Sequence, residues 1–281
     1  MTFPDIDPVA FYIGPLAIRW YGLAYLAGIF GTWFLCRKLI RKQHLWGNVP
    51  PPSLSCLDDL MLAATFGIVA GGRIAYVIFY KPSYYMENPL KAFAIWDGGM
   101  SFHGGLLGCA LAIILLARHY KLSALSLIDL ACSGAPIGLF FGRLSNFING
   151  ELWGRVTSPD NPLGIIFPFA GSDPRHPSQL YEAFLEGFIL FIIMQWAVYK
   201  FGFRRPGFLA GIFASGYAIA RITCEFFREP DADLGFLFAS SISLPGGGLT
   251  MGMLLSLPLL LAGLFTIYWT SKGKTLPEQT Q

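Results

Sequence analysis

Charged and polar side chains occur in this chain inside segments that are otherwise strongly apolar. The segment GRLSNFINGELWGR, residues 142–155, follows a long apolar run and contains Arg143, Asn146 and Glu151. Arg143, Asn146 and Gly150 are spaced i, i+3 and i+7, which places them on one face of a helix. A guanidinium group binds phosphate well because its N–H groups form a planar fork. The pattern predicts a binding site for a phosphate-bearing ligand.

A second polar stripe runs along GYAIARITCE, residues 216–225, where Tyr217, Arg221 and Glu225 are spaced i, i+4 and i+8. An Arg221–Glu225 ion pair would neutralise charge inside a membrane, so a purely structural role is one alternative for it. Arg143 has no acidic residue within four positions, and Glu151 further along is its candidate partner. Two arginines favour a phospholipid headgroup as the ligand.

A histidine lies between pairs of glycines in WDGGMSFHGGLLG, residues 96–108. His103 is flanked there by Gly98, Gly104 and their neighbouring glycines. Glycine lets another backbone or a substrate approach closely, and histidine gains and loses its proton near neutral pH. His103 is therefore either a general base or a structural hydrogen-bonding residue.

Two carboxylates follow a proline in RHPSQLYEAFLEG, residues 175–187. Ser178 is predicted to be the N-cap of a helix, with Glu182 and Glu186 in its first turns, where the helix dipole favours anions. Capping alone would explain these carboxylates. His176 and Arg175 lie just before the helix and belong either to loop structure or to the rim of a site.

The composition predicts which elements position these side chains. The chain has 281 residues, of which 54% are hydrophobic and 13% are charged, whereas soluble proteins have roughly 25% charged residues. Apolar runs of about 20 residues are long enough to cross a membrane as helices. We therefore expect an all-α integral membrane protein with about seven transmembrane helices, near residues 19–39, 59–80, 100–118, 124–147, 179–199, 207–227 and 249–270.

The distribution of basic residues predicts the orientation. They follow the first, third, fifth and seventh spans, so the positive-inside rule places the N-terminus outside and the C-terminus in the cytoplasm. In that orientation most intramembrane polar residues share the outer half of the membrane, and Asp129 near the inner start of the fourth span is the exception. The basic residues that set the orientation are Arg37, Lys38, Arg41, Lys42, Arg118, Lys121, Lys200, Arg204, Arg205, Lys272 and Lys274. The polar residues predicted to lie in the outer half are Tyr21, Arg73, His103, Arg143, Asn146, Glu182, Glu186, Arg221 and Glu225.

The chain is expected to form a single polytopic membrane domain over residues 1–281. Two loops, at about 148–178 and 228–248, are long enough to order as small caps on the periplasmic side. The segment before the first span carries acidic residues, unlike a signal peptide. The five cysteines have no CxxC spacing and are expected to pack in the core. The four histidines do not cluster, and HExxH and GxSxG are absent, which disfavours a metal site and a serine hydrolase.

Five segments together resemble prolipoprotein diacylglyceryl transferases. They are RWYGLAYLAG, GGMSFHGGLLG, GRLSNFINGELWGR, RHPSQLYEAFLEG and GYAIARITCEFFREPD, and the resemblance extends from about residue 6 to residue 270. It implies transfer of the diacylglyceryl group of phosphatidylglycerol to the lipobox cysteine of a prolipoprotein signal peptide. The products would be a thioether and glycerol 1-phosphate. It also implies the bacterial cytoplasmic (inner) membrane, contact with membrane lipid, and no cofactor, metal or nucleic acid.

The resemblance also implies roles for individual residues. Arg143 and Arg221 would hold the phosphate and stabilise the charge that develops as it leaves. His103 would accept the thiol proton. Tyr21, Asn146 and Glu151 would also bind the substrate and orient either the headgroup or His103. Gly154 would permit a tight turn, and Glu225 would position Arg221. The supporting residues would be Gly98, Gly104, His176 and Glu182.

Two other classes of protein remain open at this point. A transporter or channel would bind an anion in transit, but it predicts polar residues at the midplane or in both halves of the membrane, often in repeated halves. Here they are concentrated on one side and no repeat is evident. A lipid-binding scaffold without chemistry is not distinguished by residue types, although it needs no base beside its anion site.

Overall fold

The structure is a computed structural model that describes residues 1–230, 235–237 and 248–272. Most of the loop predicted over 228–248 and the tail after residue 272 lie outside the described residues. The helices are α1 (Trp20–Ile40), α2 (Leu54–Phe79), α3 (Pro82–Glu87), α4 (Phe102–Tyr120), α5 (Ala124–Ile148), α6 (Ser178–Glu182), α7 (Leu190–Phe201), α8 (Phe208–Glu225) and α9 (Met251–Lys272).

Six of the described helices are long and apolar enough to cross a membrane. They coincide with six of the predicted spans: α1, α2, α4, α5, the continuous helix Ser178–Phe201 and α9. The remaining predicted span forms α8, but this helix is not one of the six. It has 18 residues and includes Arg221 and Glu225, which lower its apolar character. A helical membrane protein is thus confirmed, while the count of seven is not.

A β-hairpin precedes α1, which the expectation of an all-α chain missed. Strand β1 (Val9–Ile13) pairs in antiparallel orientation with β2 (Leu16–Arg19), and Ile13 lies opposite Leu16. The turn consists of Gly14 and Pro15, with φ of 57° at Gly14. Glycine adopts this conformation without a steric penalty, which makes a two-residue hairpin turn possible.

Helices α2 and α4 approach each other along glycines. Gly67 and Gly71 of α2 face Gly104 and Gly108 of α4, and a Cβ atom on Gly108 would overlap the carbonyl of Gly67. Small residues four positions apart allow this close approach of membrane helices. Gly104, predicted as a place where a backbone or a substrate comes close, therefore contacts a backbone.

We expect Gly104→Val to destabilise the protein by about 1–3 kcal/mol, as overpacked cores generally are. A Cβ atom at this position would overlap both Ala75 and the carbonyl of Gly71. Thermal unfolding in detergent measures the effect. Gly138→Ala is the matched control, because a Cβ at Gly138 meets no atom within 4 Å. Equal unfolding temperatures for the two variants would contradict the packing role of Gly104.

Helix α5 is contacted by several other helices. Helix α1 packs along α5, α8 packs along α9, and the continuous helix Ser178–Phe201 lies against both α5 and α8. It approaches α5 closely at Gly187, where a Cβ atom would lie 2.7 Å from the Cα of Phe140. The C-terminal end of α5, the N-terminal end of α6 and the C-terminal end of α8 are thereby brought together.

Asp129, the one predicted inner-half carboxylate, caps α8 from α5. Its two carboxylate oxygens accept hydrogen bonds from the backbone N–H groups of Gly207 and Ala210, each at 2.7 Å. The unpaired N–H groups at a helix N-terminus favour such an anion. Asp129 is fully buried. It therefore fixes the start of the helix that carries Arg221.

Candidate active site at the ends of α5, α6 and α8

A cluster of three arginines and three glutamates occupies the junction of these helices. Its six members, called here the arginine–glutamate cluster, come from α5, the helix Ser178–Phe201, α8 and the residues just after α8. Their formal charges balance, as expected for charged groups removed from water. They are Arg143, Glu182, Glu186, Arg221, Glu225 and Arg228.

Arg143 bridges two carboxylates of the neighbouring helix. Its Nη1 lies 2.9 Å from Glu182 Oε2, and its Nε and Nη2 donate to Glu186 Oε2 at 3.2 and 3.1 Å. Glu151, the partner considered from the sequence, instead accepts a hydrogen bond from Asn146 Nδ2 at 2.8 Å. The partners of Arg143 are therefore distant in sequence.

Arg221 and Glu225 form the ion pair predicted from their i, i+4 spacing. The pair is not isolated, because Arg221 Nη1 also lies 3.2 Å from Glu182 Oε1 and 3.8 Å from Glu186 Oε1. Glu182 and Glu186 thus connect Arg221 to Arg143.

Arg228 is a member of the cluster that the sequence analysis missed. Its Nη1 donates to Glu182 Oε1 at 3.3 Å, and its Nε lies 3.7 Å from Glu225 Oε1. The i, i+3 spacing of Glu225 and Arg228 was the available signal. It falls just beyond the end of α8, where a helical pattern no longer applies.

The role predicted for Ser178, Glu182 and Glu186 at the helix start is wrong. The N-cap is Pro177, which makes no side-chain capping bond, and Ser178 Oγ donates to the carbonyl of Leu152 at 3.0 Å. Glu182 and Glu186 are 1% and 0% exposed and bind arginines. Burial explains the difference, since a carboxylate removed from water needs an opposite charge more than a helix end does.

The helix widens where these carboxylates lie. A π-helical segment, Ala183–Ile189, follows α6 and contains Glu186. Such segments are rare and frequently occur at functional sites. The wider turn changes the direction in which Glu186 projects relative to Glu182, and both carboxylates reach the same two arginines.

The loop after α5 is fixed against the start of α6. Gly154 N–H donates to the carbonyl of His176 at 2.8 Å, and a Cβ on Gly154 would overlap the carbonyls of His176 and Phe227. The tight turn predicted at Gly154 is at Gly150 instead, which has φ of 64°. Gly154 is required for close backbone approach.

Tyr21 and His103 are contributed by other helices. Tyr21 lies in the first turn of α1, its hydroxyl lies 3.2 Å from that of Tyr25, and it is within electrostatic range of Glu151 and Arg143. His103 lies exposed in the first turn of α4, beside the packed Gly104. The structure therefore brings Tyr21 to the edge of the cluster, whereas His103 belongs to the α2–α4 pair.

Arg73 was predicted to lie in the outer half of the membrane together with Arg143 and Arg221, but its partners differ from theirs. Its guanidinium group donates only to backbone carbonyls, among them those of Lys91, Ala92 and Gly98. Gly98, predicted as a supporting residue, has φ of 77°. Arg73 thus orders the segment that leads into α4 and His103.

His176 lies at the rim. Its Nδ1 is 3.2 Å from the hydroxyl of Tyr181, and its ring packs edge-on against Phe227. Burial, and then the charge of Arg155, lower the pKa of His176 from its ordinary value. This shift favours the neutral ring, which suits a structural hydrogen bond.

The cluster leaves only its arginines accessible. The side chains of Arg143 and Arg221 are 18% and 15% exposed, whereas Glu186 is fully buried. The carboxylates hold the guanidinium groups from inside the protein, and both arginine side chains keep some exposed surface. This arrangement suits an anion that approaches from the accessible side.

Comparison with known proteins gives a consistent result. Residues 8–269 match the family model described as prolipoprotein diacylglyceryl transferase. Relatives named phosphatidylglycerol–prolipoprotein diacylglyceryl transferase include one from Beijerinckia indica, 54% identical over 98% of this chain and 97% of its own length. Others come from Nitrobacter winogradskyi, 51% identical over 99% and 94%, and from Rhizobium meliloti, 53% identical over 95% and 93%.

Proposed function

Because the chain belongs to the prolipoprotein diacylglyceryl transferase family, we propose that its arginine–glutamate cluster binds the phosphate of phosphatidylglycerol while His103 activates the acceptor thiol. The chain is a membrane transferase that moves a diacylglyceryl group from phosphatidylglycerol to prolipoproteins, the first step of lipoprotein maturation. The division of roles between its residues is our proposal.

The accessible edges of Arg143 and Arg221 carry the argument for the phosphate site. Both guanidinium groups are held by buried carboxylates, so they are already oriented before a ligand arrives. Preorganised donors stabilise developing charge more than mobile ones, because little reorganisation is needed during the reaction. Asn146 lies one turn after Arg143 on α5 and donates to Glu151, and together with Tyr21 these residues orient the glycerol headgroup.

The proposed chemical step is a displacement at carbon. The lipobox cysteine thiolate attacks the glycerol carbon of the diacylglyceryl group that is bonded to the phosphate oxygen. A C–S bond forms, that C–O bond breaks, and the electron pair leaves on glycerol 1-phosphate. His103 accepts the thiol proton, because the thiolate rather than the thiol is the nucleophile. The arginines stabilise the additional negative charge on the departing phosphate.

We further propose the arrangement in the membrane. Helix α8 crosses as a seventh span, because 18 residues of helix extend about 27 Å and neighbouring helices cover its charged residues. The N-terminus lies outside and the C-terminus in the cytoplasm of the bacterial inner membrane, with residues 1–281 as one domain. The cluster then lies in the outer half, at the depth of lipid phosphates.

Mass spectrometry of a lipobox peptide tests this function. The purified protein is incubated with the peptide in phosphatidylglycerol vesicles, beside phosphatidylethanolamine vesicles and a Cys-to-Ser peptide. We expect a diacylglyceryl mass gain only with phosphatidylglycerol and only on the cysteine peptide. If lipid binds but no peptide gains this mass, the proposed chemistry is wrong and an anion transporter or lipid scaffold is favoured.

A further inference from the structure

The hydroxyl of Thr250 connects the N-terminus of α9 to the arginine–glutamate cluster. Thr250 immediately precedes α9 and is 2% exposed. Its Oγ1 accepts a hydrogen bond from the backbone N–H of Met253 at 3.2 Å. The same hydroxyl donates its proton to Oε2 of Glu225. Because a hydroxyl has a single proton, accepting from Met253 leaves that proton for Glu225.

Glu225 in turn binds Arg221. Oε1 of Glu225 pairs with Arg221 Nη2, while Oε2 is held by Thr250. Gly252, in the first turn of α9, leaves room for the carboxylate, which a Cβ atom at that position would overlap. The positive end of the α9 dipole also favours a carboxylate at this place. The orientation of Arg221 therefore depends on α9 as well as on its own helix.

Resting on the proposed function, we propose that Thr250 is a positioning residue for diacylglyceryl transfer, which acts on the phosphate through Glu225 and Arg221. Glu225 is 2% exposed, so this carboxylate has little access to water that would replace a lost hydrogen bond. Without the Thr250 hydroxyl, the carboxylate rotates away from α9, and Arg221 is no longer held for the leaving phosphate.

A comparison of three variants tests the proposal. We expect Thr250→Val to lower kcat by about tenfold or more, since small displacements of catalytic groups have effects of this size, and to change KM little. Thr250→Ser, which keeps the hydroxyl, is expected to retain most of the activity. Thr266→Val is the matched control, because Thr266 Oγ1 donates to the carbonyl of Ala262 in its own helix.

A second measurement, of kcat in a double variant, tests whether Thr250 acts through Glu225. If Thr250 acts through Glu225, then adding Thr250→Val to a Glu225→Ala variant, which has no side-chain acceptor, lowers kcat by less than about twofold, because coupled residues are not additive. A full additional loss in that background, or equal activity of Thr250→Val and Thr266→Val, would overturn the proposal. Absence of transfer by the parent protein would instead refute the proposed function.

Discussion

Arg143→Gln is expected to lower the rate of diacylglyceryl transfer by about 100-fold or more, the usual effect of removing a donor that stabilises developing negative charge. Glutamine fills a similar volume but carries no charge and lacks the planar fork that binds phosphate. The rate is measured by mass spectrometry of a lipobox peptide in phosphatidylglycerol vesicles. Arg118→Gln, an exposed arginine near the end of α4, is the control and should react at the parent rate.

Arg143→Gln also removes the closest charge partner of the buried Glu186 and one of the three arginines that pair with Glu182. Removal of one member of a buried ion pair typically costs about 3–5 kcal/mol of stability. A double variant, Arg143→Gln with Glu186→Gln, removes one charge of each sign and restores the balance of the cluster. We expect it to recover much of the thermal stability in detergent but not the transfer rate. Recovery of both would show that Arg143 is structural rather than part of the phosphate site.

The sequence predicted the helices well because their signal is local. An apolar run of about 20 residues is a property of neighbouring positions, and the run at 124–147 became Ala124–Ile148. The β-hairpin before α1 was missed because its strands are short and much of their surface is exposed. Helix α8 formed where the sequence predicted a span, and the two charges that lower its apolar character belong to the site.

The sequence identified both members of the Arg221–Glu225 pair but not the partners of Arg143. Periodicity placed Arg143 and Asn146 on one face of a helix, but it contains no information about the helix that this face contacts. Glu186 is 43 positions from Arg143. Its position in a π-helical turn adds a second difficulty, because regular helical spacing does not describe it.

Burial distinguishes between the two roles, helix cap and ion-pair partner, that are possible for a carboxylate near a helix start. A carboxylate near a helix N-terminus can be a cap, as the sequence allowed for Glu182. Glu182 is 1% exposed and is contacted by Arg143, Arg221 and Arg228. Only the tertiary structure shows that several arginines converge on one carboxylate. Arg73 is a second example. Its guanidinium group donates to five backbone carbonyls, and no local sequence pattern predicts these partners.

The second large effect is expected for His103. If this side chain accepts the thiol proton, His103→Ala lowers transfer at pH 7 by about 100-fold or more, the typical contribution of a general base. The difference in transfer rate between His103→Ala and the parent protein should become smaller as the pH rises toward 9. A free cysteine thiol, with a pKa of about 8.5, then ionises without a general base.

His119→Ala is the matched control for this experiment. His119 lies exposed in the last turn of the same helix α4, so it shares the environment of a membrane helix end but not that of the cluster. Its replacement should leave both the rate and its pH dependence unchanged. A His103→Ala deficit that is equal at pH 7 and pH 9 would show that His103 positions the substrate or the start of α4. The proton would then leave the thiol by another route, while the phosphate site at Arg143 and Arg221 would be unaffected.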